Sequence, residues 1–308
     1  MNSEIIDKRD IDEEIIVECK GKHLCGVCAD DTHDNYLCQV SETVSCGACC
    51  GLYNLPNLSR EKLDILLSKR TEAFASVPRT EDGIFEFQRS NKGPHRLSRP
   101  FPGFHHCPFL GLIGGEKSRV GCLLHPAATG NNGLDYRSLS WYGEQACRTY
   151  FCPATNKLPP VYQSILMQTI DDWYVFGLIV TEHALVTAYF KEVESRLGRH
   201  IVVSDYAENI EAADAFREFV ELKSQWPYRR DDFPGPCNYF FENGLYPRPS
   251  VFRKTPDIGL SSYENILKEL DAGFSSAKEI AAADQLLDEL FLKTERALCD
   301  SPSLKGGQ

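Results

Sequence analysis

Cys46-Gly47-Ala48-Cys49-Cys50-Gly51 packs three thiols into five residues and ends on a glycine. Later segments answer it: Cys107-Pro108-Phe109-Leu110, Cys122-Leu123-Leu124-His125-Pro126, and Cys147 followed by Arg148-Thr149-Tyr150-Phe151-Cys152-Pro153. Buried cysteine often serves as a small core residue, but such residues sit on apolar periodic faces rather than in Gly- and Pro-punctuated loops. The pattern predicts a metal or cluster site whose ligands arrive from segments far apart in sequence.

Working toward the N-terminus, Cys19, Cys25, Cys28 and Cys38 fall within twenty residues, with His23 and His33 between them and no apolar period. Metal ligation supplies folding free energy where a core cannot, roughly 10 kcal/mol or more for structural zinc, and four cysteines complete a tetrahedron. A second pairing has equal standing. Cys25-x2-Cys28 and Cys46-x2-Cys49 stand seventeen residues apart, which fits a ribbon of two knuckles.

The whole chain has 308 residues, 42% hydrophobic and 25% charged, with a net charge of -11. That balance is globular, and it opposes nucleic acid and anionic membranes as main partners. Residues 1–34 hold ten acids against four bases, an acidic opening expected to be solvated. Met1–Asp7 has neither the basic nor the apolar region of a signal peptide. The longest apolar run, Trp173–Val180, is far short of the ~20 residues of a membrane span. The expected location is cytoplasmic, where thirteen cysteines favour metal over disulfides.

Beyond Gly51, Ser59 is a candidate N-cap for a helix with Leu63, Leu66 and Leu67 on its apolar face, ended by Pro78. Gly83-Ile-Phe-Glu-Phe-Gln alternates like a short strand. Arg89, Lys92, His95, Arg96 and Arg99 lie beside Phe101 and Phe104, either a solvated loop or a place for a phosphate or other anion. His105 and His106 read as hydrogen-bonded loop residues, whereas His125 reads equally as ligand or structural group. Trp141, Tyr142, Tyr150 and Phe151 are expected to wall the cluster from water.

The order of these blocks (Cys-Gly-Ala-Cys-Cys and a helix, Cys-Pro-Phe-Leu, Gly-Cys-Leu-Leu-His-Pro, Cys-Arg-Thr-Tyr) resembles the YkgJ-type cysteine-cluster family, described as a zinc- or iron-chelating domain. The resemblance covers about residues 43–153. It implies Cys46, Cys49, Cys50, Cys107, Cys122 and Cys147 as ligands. Thr43 stands where the family usually carries a further cysteine, and Ala127–Ala146 replaces its Arg-Pro, so Cys38 or Cys152 is expected to complete the set.

From Pro159 the chain turns helical. Apolar residues from Tyr162 recur every three or four positions to Leu197, predicting one helix of about 30 residues closed by Gly198. Further helices are expected at 210–224, 262–270 and 276–298, with 226–259 as an ordered wrapping loop. Cys237 and Cys299 read as packing thiols. The fold class expected is mainly α, with an irregular, loop-rich cysteine-cluster metal-binding region and few short strands. Its parts are an acidic Cys-rich segment at 1–45, the zinc- or iron-chelating domain at 46–153, a helical domain at 154–300 and a disordered tail at 301–308.

Thiolates select zinc and iron–sulfur clusters over hard cations. The leading expectation is a metal-binding protein holding zinc or an iron–sulfur cluster, with the helical half as a scaffold for a protein partner. The alternative is an iron–sulfur-dependent enzyme, redox or protein-modifying, with a distant parallel in the flagellin lysine methylases. A third reading, redox-sensing thiols, lacks the strand that a thioredoxin-like Cys-x-x-Cys follows.

Overall fold

The computed structural model describes residues 36–56, 58–93, 98–140, 142–232, 235 and 249–299. The expectations for Cys19, Cys25, Cys28, His23, His33, His95, Arg96, Trp141, Cys237 and the C-terminal tail lie outside the described residues. The described chain is mainly α with few short strands.

A 3-10 turn, Ala48–Cys50, leads to α1 (Arg60–Ala75) and α2 (Glu81–Ser90). Ser59 caps α1 as expected, accepting from the Lys62 N–H at 3.2 Å. The segment Gly83–Gln88 is helix, not strand. Thr80 caps α2 by accepting from the Gly83 N–H, and Ile84 and Phe87 fall on its one buried stripe. Two apolar residues three apart suit a helix as well as the alternation suits a strand, and the cap decides between them.

Strands β1 (Leu110–Ile113) and β2 (Arg119–Cys122) form an antiparallel hairpin in register Leu110↔Cys122. Helix α1 lies along β1, where Thr71 Oγ1 accepts the Leu112 N–H at 2.7 Å and satisfies part of that edge. Another 3-10 turn, Arg137–Leu139, precedes α3 (Gly143–Thr149) and the one-turn α4 (Ala154–Lys157).

The expected 30-residue helix is three helices: α5 (Pro160–Thr169), α6 (Trp173–Val180) and α7 (His183–Leu197). Asp172 makes the first break, its backbone extended and its carboxylate accepting the N–H groups of Tyr174 and Val175. The second break, at Thr181 and Glu182, bends α6 against α7 by 88°. The buried Glu182 carboxylate there faces Lys223 Nζ at 3.5 Å. Hydrophobic period continues through both breaks because both sides face apolar neighbours. Gly198 then closes α7 in the left-handed region, φ 66°.

The remainder is α8 (Ser204–Ala207), α9 (Ile210–Gln225), β3 (Phe252–Arg253), α10 (Glu264–Glu269), β4 (Gly273–Phe274) and α11 (Ala277–Cys299), with β3 and β4 parallel. Tyr189 of α7 is ringed by Phe190, Phe216, Phe219 and Phe291. Cys299 is exposed rather than packed, because the last turn of α11 carries it past this core.

Two apolar cores result. One joins α5 through α11 and reaches back to Leu37 and Val44; the other gathers the Cys46 turn, α1, α2 and the hairpin. Helix α6 serves both. Phe176, Ile179 and Val180 enter the first, and Trp173, Tyr174 and Leu178 the second. No single described helix is long and apolar enough to cross a membrane.

Two features of this frame are testable. A Cβ at Gly177 of α6 would lie 2.5 Å from Tyr53 Oη, and Tyr53 is held by its 2.7 Å bond to the Tyr174 carbonyl. Gly177→Ala, which in an open helix gains about 1 kcal/mol, is therefore expected to cost about 1–3 kcal/mol here, read from urea unfolding. Adding Tyr53→Phe should recover part of the loss.

Lys223 is fully buried among Glu182, Asp271 and the Glu269 carbonyl. Burial, reinforced by Glu182, pushes the Glu269 carboxyl up to about 7. Its folded value lies above its unfolded one, so the folded state holds the extra proton and stability falls as pH rises from about 4.5 to 7. Glu269→Gln should remove that part of the pH dependence. It should gain on the order of 1–3 kcal/mol over wild type at pH 8 relative to pH 5, measured by chemical denaturation at both pH values.

Candidate metal centre

The Cys46 turn is built around Gly51. Its φ is 77°, and a Cβ there would sit 2.0 Å from the His105 carbonyl oxygen. Only glycine allows both the left-handed turn and this approach. The contact lets Cys107 N–H donate to the Cys50 carbonyl at 2.9 Å, which docks the segment before β1 onto the turn. The hairpin then returns Cys122, opposite Leu110, to the same place. On the other side, Cys46 N–H donates to the Cys38 carbonyl at 3.0 Å, and a bridge between Gln39 and Ser45 closes that loop.

Eight cysteines therefore lie in one region of the fold, none of them in a disulfide: Cys38, Cys46, Cys49, Cys50, Cys107, Cys122, Cys147 and Cys152. Their electrostatic neighbours fall into two overlapping groups that share Cys49, which is felt by Cys46, Cys50, Cys107, Cys147 and Cys152 alike. Cys46 feels Cys49, Cys152 and Cys38, and Tyr150 feels Cys152, Cys49 and Cys38. Cys50 feels Cys49, Cys107 and Cys122, while Cys122 feels Cys107 and Cys147. One group gathers Cys38, Cys46 and Cys152, the other Cys50, Cys107, Cys122 and Cys147, and Cys49 belongs to both. The adjacent Cys49 and Cys50 join them. Spacing alone had grouped Cys38 with the N-terminal cysteines, and nothing in it placed Cys152; the fold puts both beside Cys46.

The backbone is aimed at these sulfurs. N–H groups two residues ahead point at four of them: Ala48 at Cys46, Phe109 at Cys107, Leu124 at Cys122 and Ala154 at Cys152. Such contacts favour thiolate over thiol. Burial works the other way, pushing Cys107 up to about 12 and raising Cys46 and Cys122, while Cys50 is raised first by its hydrogen bond with Cys49 and then by burial. The hydrogen bond from Cys50 lowers Cys49. Ser140 Oγ lies 2.8 Å from Cys147 Sγ.

Arg70 of α1 is buried beside this group, 3% exposed, and gave no signal in the sequence. Its Nη1 donates to His106 Nε2 at 2.8 Å and to the Cys107 carbonyl at 3.3 Å. A guanidinium only donates, so Nε2 is the acceptor and His106 Nδ1–H donates to the Gly51 carbonyl at 2.7 Å. Burial and Arg70 lower His106 to about 3, leaving the ring neutral. Among the described residues Arg70 meets no carboxylate; burial lowers it to about 10, and Cys107 would oppose that only as a thiolate. Farther along, the Asp135 carboxylate takes both Arg137 and Arg148. Burial opposes its ionisation, but the hydrogen bonds from Arg137 win and hold it well below the usual range.

His125 stands apart from the sulfurs in its bonding. Ala127 N–H donates to Nδ1 at 3.1 Å, which places the ring proton on Nε2; the Gln39 amide nitrogen 3.5 Å away is itself a donor, so the two make no hydrogen bond in that tautomer. The dry wall differs from the aromatic set expected: Tyr142 and Tyr150 are 47% and 45% exposed. The apolar backing comes instead from Leu52, Tyr53, Phe109, Leu110, Val120 and Leu123, because the hairpin and α1 cover the thiols from beneath while the Cys147 segment lies over them. As the side chains stand, no three His, Cys, Asp or Glu among the described residues converge closely enough to hold a metal ion. The donor chemistry nevertheless suits a soft metal: all-sulfur sets, N–H groups directed at sulfur, and a buried cation without a carboxylate.

Comparison with known proteins finds no matching family model, no matching curated protein and no matching solved structure.

Exposure orders the thiols. In reduced, chelator-treated protein, iodoacetamide should label the exposed Cys49 and Cys299 before the buried Cys107, as read by peptide mass spectrometry over time. Cys107 labelling as fast as Cys49 would contradict the packing described.

Proposed function

We propose that the protein binds soft metal through two four-cysteine sets, as zinc or iron–sulfur centres, in the cytoplasm. Cys38, Cys46, Cys49 and Cys152 would hold one centre, and Cys50, Cys107, Cys122 and Cys147 the other. The observation that carries this reading is that eight cysteines from segments scattered over residues 38–152, none of them in a disulfide, lie in one electrostatic neighbourhood. A bound cation would supply the positive charge that lets these buried thiols ionise. Rotation about χ1 re-aims each sulfur without moving the backbone. Splitting Cys49 from Cys50 meets the difficulty that adjacent cysteines face in chelating one ion. The second set would have Arg70 as a resident countercharge. His125 would support the Cys122 loop through Ala127, and the helical half would offer a surface to a protein partner.

A second reading, an iron–sulfur-dependent enzyme, is favoured by one observation. A cavity opens at His105 and His106, immediately before Cys107.

Anaerobic purification followed by elemental analysis and an ultraviolet–visible spectrum tests the proposal. Colourless protein with zinc, or brown protein with iron and sulfide, is expected. The Cys38→Ala/Cys152→Ala variant should lose one centre and keep the other, and Cys122→Ala should do the reverse. Metal-free wild-type protein, or loss of all metal in both variants alike, would reject the two-set arrangement.

A further inference from the structure

On the face of the His105–Pro108 segment near α2 lies a cavity of about 700 Å³ lined by Phe85, Gln88, Arg89, Lys92, Arg99, Phe104, His105 and Tyr142 among others. Its chemistry departs from that of the molecule. The chain carries a net charge of -11, yet the described lining residues include three cations and no carboxylate. Arg89 is shared with Glu86 at 2.6 Å, and Arg99 is anchored by its Nη1 on the Phe104 carbonyl at 3.1 Å. Lys92 is exposed at the rim, just beyond the C-terminus of α2.

Flat apolar surfaces face these cations. Phe104 is buried, and the Tyr142 ring stands edge-on to His105, with centroids 4.2 Å apart and planes at 87°. The Tyr142 hydroxyl and His105 Nδ1 lie 2.8 Å apart, which fixes both rings. Aromatic walls recognise a planar group, and cations at the mouth recognise one negative charge on it. Because the whole molecule repels polyanions, the local cations serve a small anion and not a nucleic acid.

We infer that this cavity is a binding site for a small planar aromatic molecule carrying an anionic group such as a phosphate, sulfonate or carboxylate. The assignment stands on the cavity lining and does not depend on the metal reading.

The test compares two fluorescent probes of similar shape on the full chain at low salt, with 8-anilinonaphthalene-1-sulfonate against the uncharged N-phenyl-1-naphthylamine. The sulfonate should bind at one site at least about 10-fold tighter, with the advantage shrinking as salt is added. Arg89→Glu/Lys92→Glu, both at exposed positions, should abolish the preference, whereas Lys278→Glu on α11 should leave it intact. No sulfonate binding, equal affinity for the two probes, or a preference unchanged in the double variant would overturn the assignment. Loss of the preference in Lys278→Glu as well would do the same, since it would trace the effect to overall charge.

Discussion

A missing side chain holds the molecule's centre together. Gly51 approaches the His105 carbonyl to a distance at which no Cβ fits. The two hydrogen bonds across that gap, Cys107 N–H to the Cys50 carbonyl and His106 Nδ1–H to the Gly51 carbonyl, tie the cysteine turn to the hairpin. The relation of the cysteine turn to Cys107 and Cys122 follows from this junction. The hairpin carries Cys122 back to Cys107, and the loop before the turn carries Cys38 back to Cys46. A larger residue at position 51 would separate the segments before any ligand could join them.

Charge adds a second constraint. Burying a guanidinium without a carboxylate is costly unless something nearby bears negative charge, and Arg70 sits against the Cys107 carbonyl and the neutral His106. Backbone N–H groups point at sulfurs in the same neighbourhood. Donors and a cation are thus arranged around groups that burial alone would keep protonated. On the proposed reading the opposition is resolved by metal, since coordination replaces the proton on each thiol and makes the thiolate the stable form.

Much of this was legible in the chain, for identifiable reasons. Ser59 and Gly198 act as helix ends where the hydroxyl of one and the missing side chain of the other predict it. The cysteine spacing marks knuckle turns because Cys-Gly-Ala, Cys-Pro-Phe and Cys-Pro-Ala each place an N–H two residues beyond a sulfur. What remained hidden is of another kind. Asp172 and Glu182 break a continuous apolar period because their bonds, one to local N–H groups and one to Lys223, outweigh the gain from continuing the helix. Arg70 looks like any helical surface arginine until the fold closes over it. The partition of the eight thiols depends on which loops dock, and spacing carries no record of docking.

Helix α6 makes the two halves interdependent. Its alternate faces enter both cores, and Gly177 lies against the Cys46 backbone, 3.7 Å from a virtual Cβ to the Cys46 Cα. Cys46 Sγ meets the Gly177 carbonyl at 3.9 Å. The helical half is therefore part of the wall of the first cysteine set rather than a scaffold appended to it. A ligand that binds only the folded form stabilises it by RT ln(1 + [L]/Kd), about 4 kcal/mol at a thousandfold excess over Kd. Because α6 belongs to both cores, that stabilisation would extend from the thiols into α5, α7 and α9 instead of remaining with the loops that supply the sulfurs. On the proposed reading, a partner docked on the helices would, by the same linkage, alter how tightly the cysteines hold a metal.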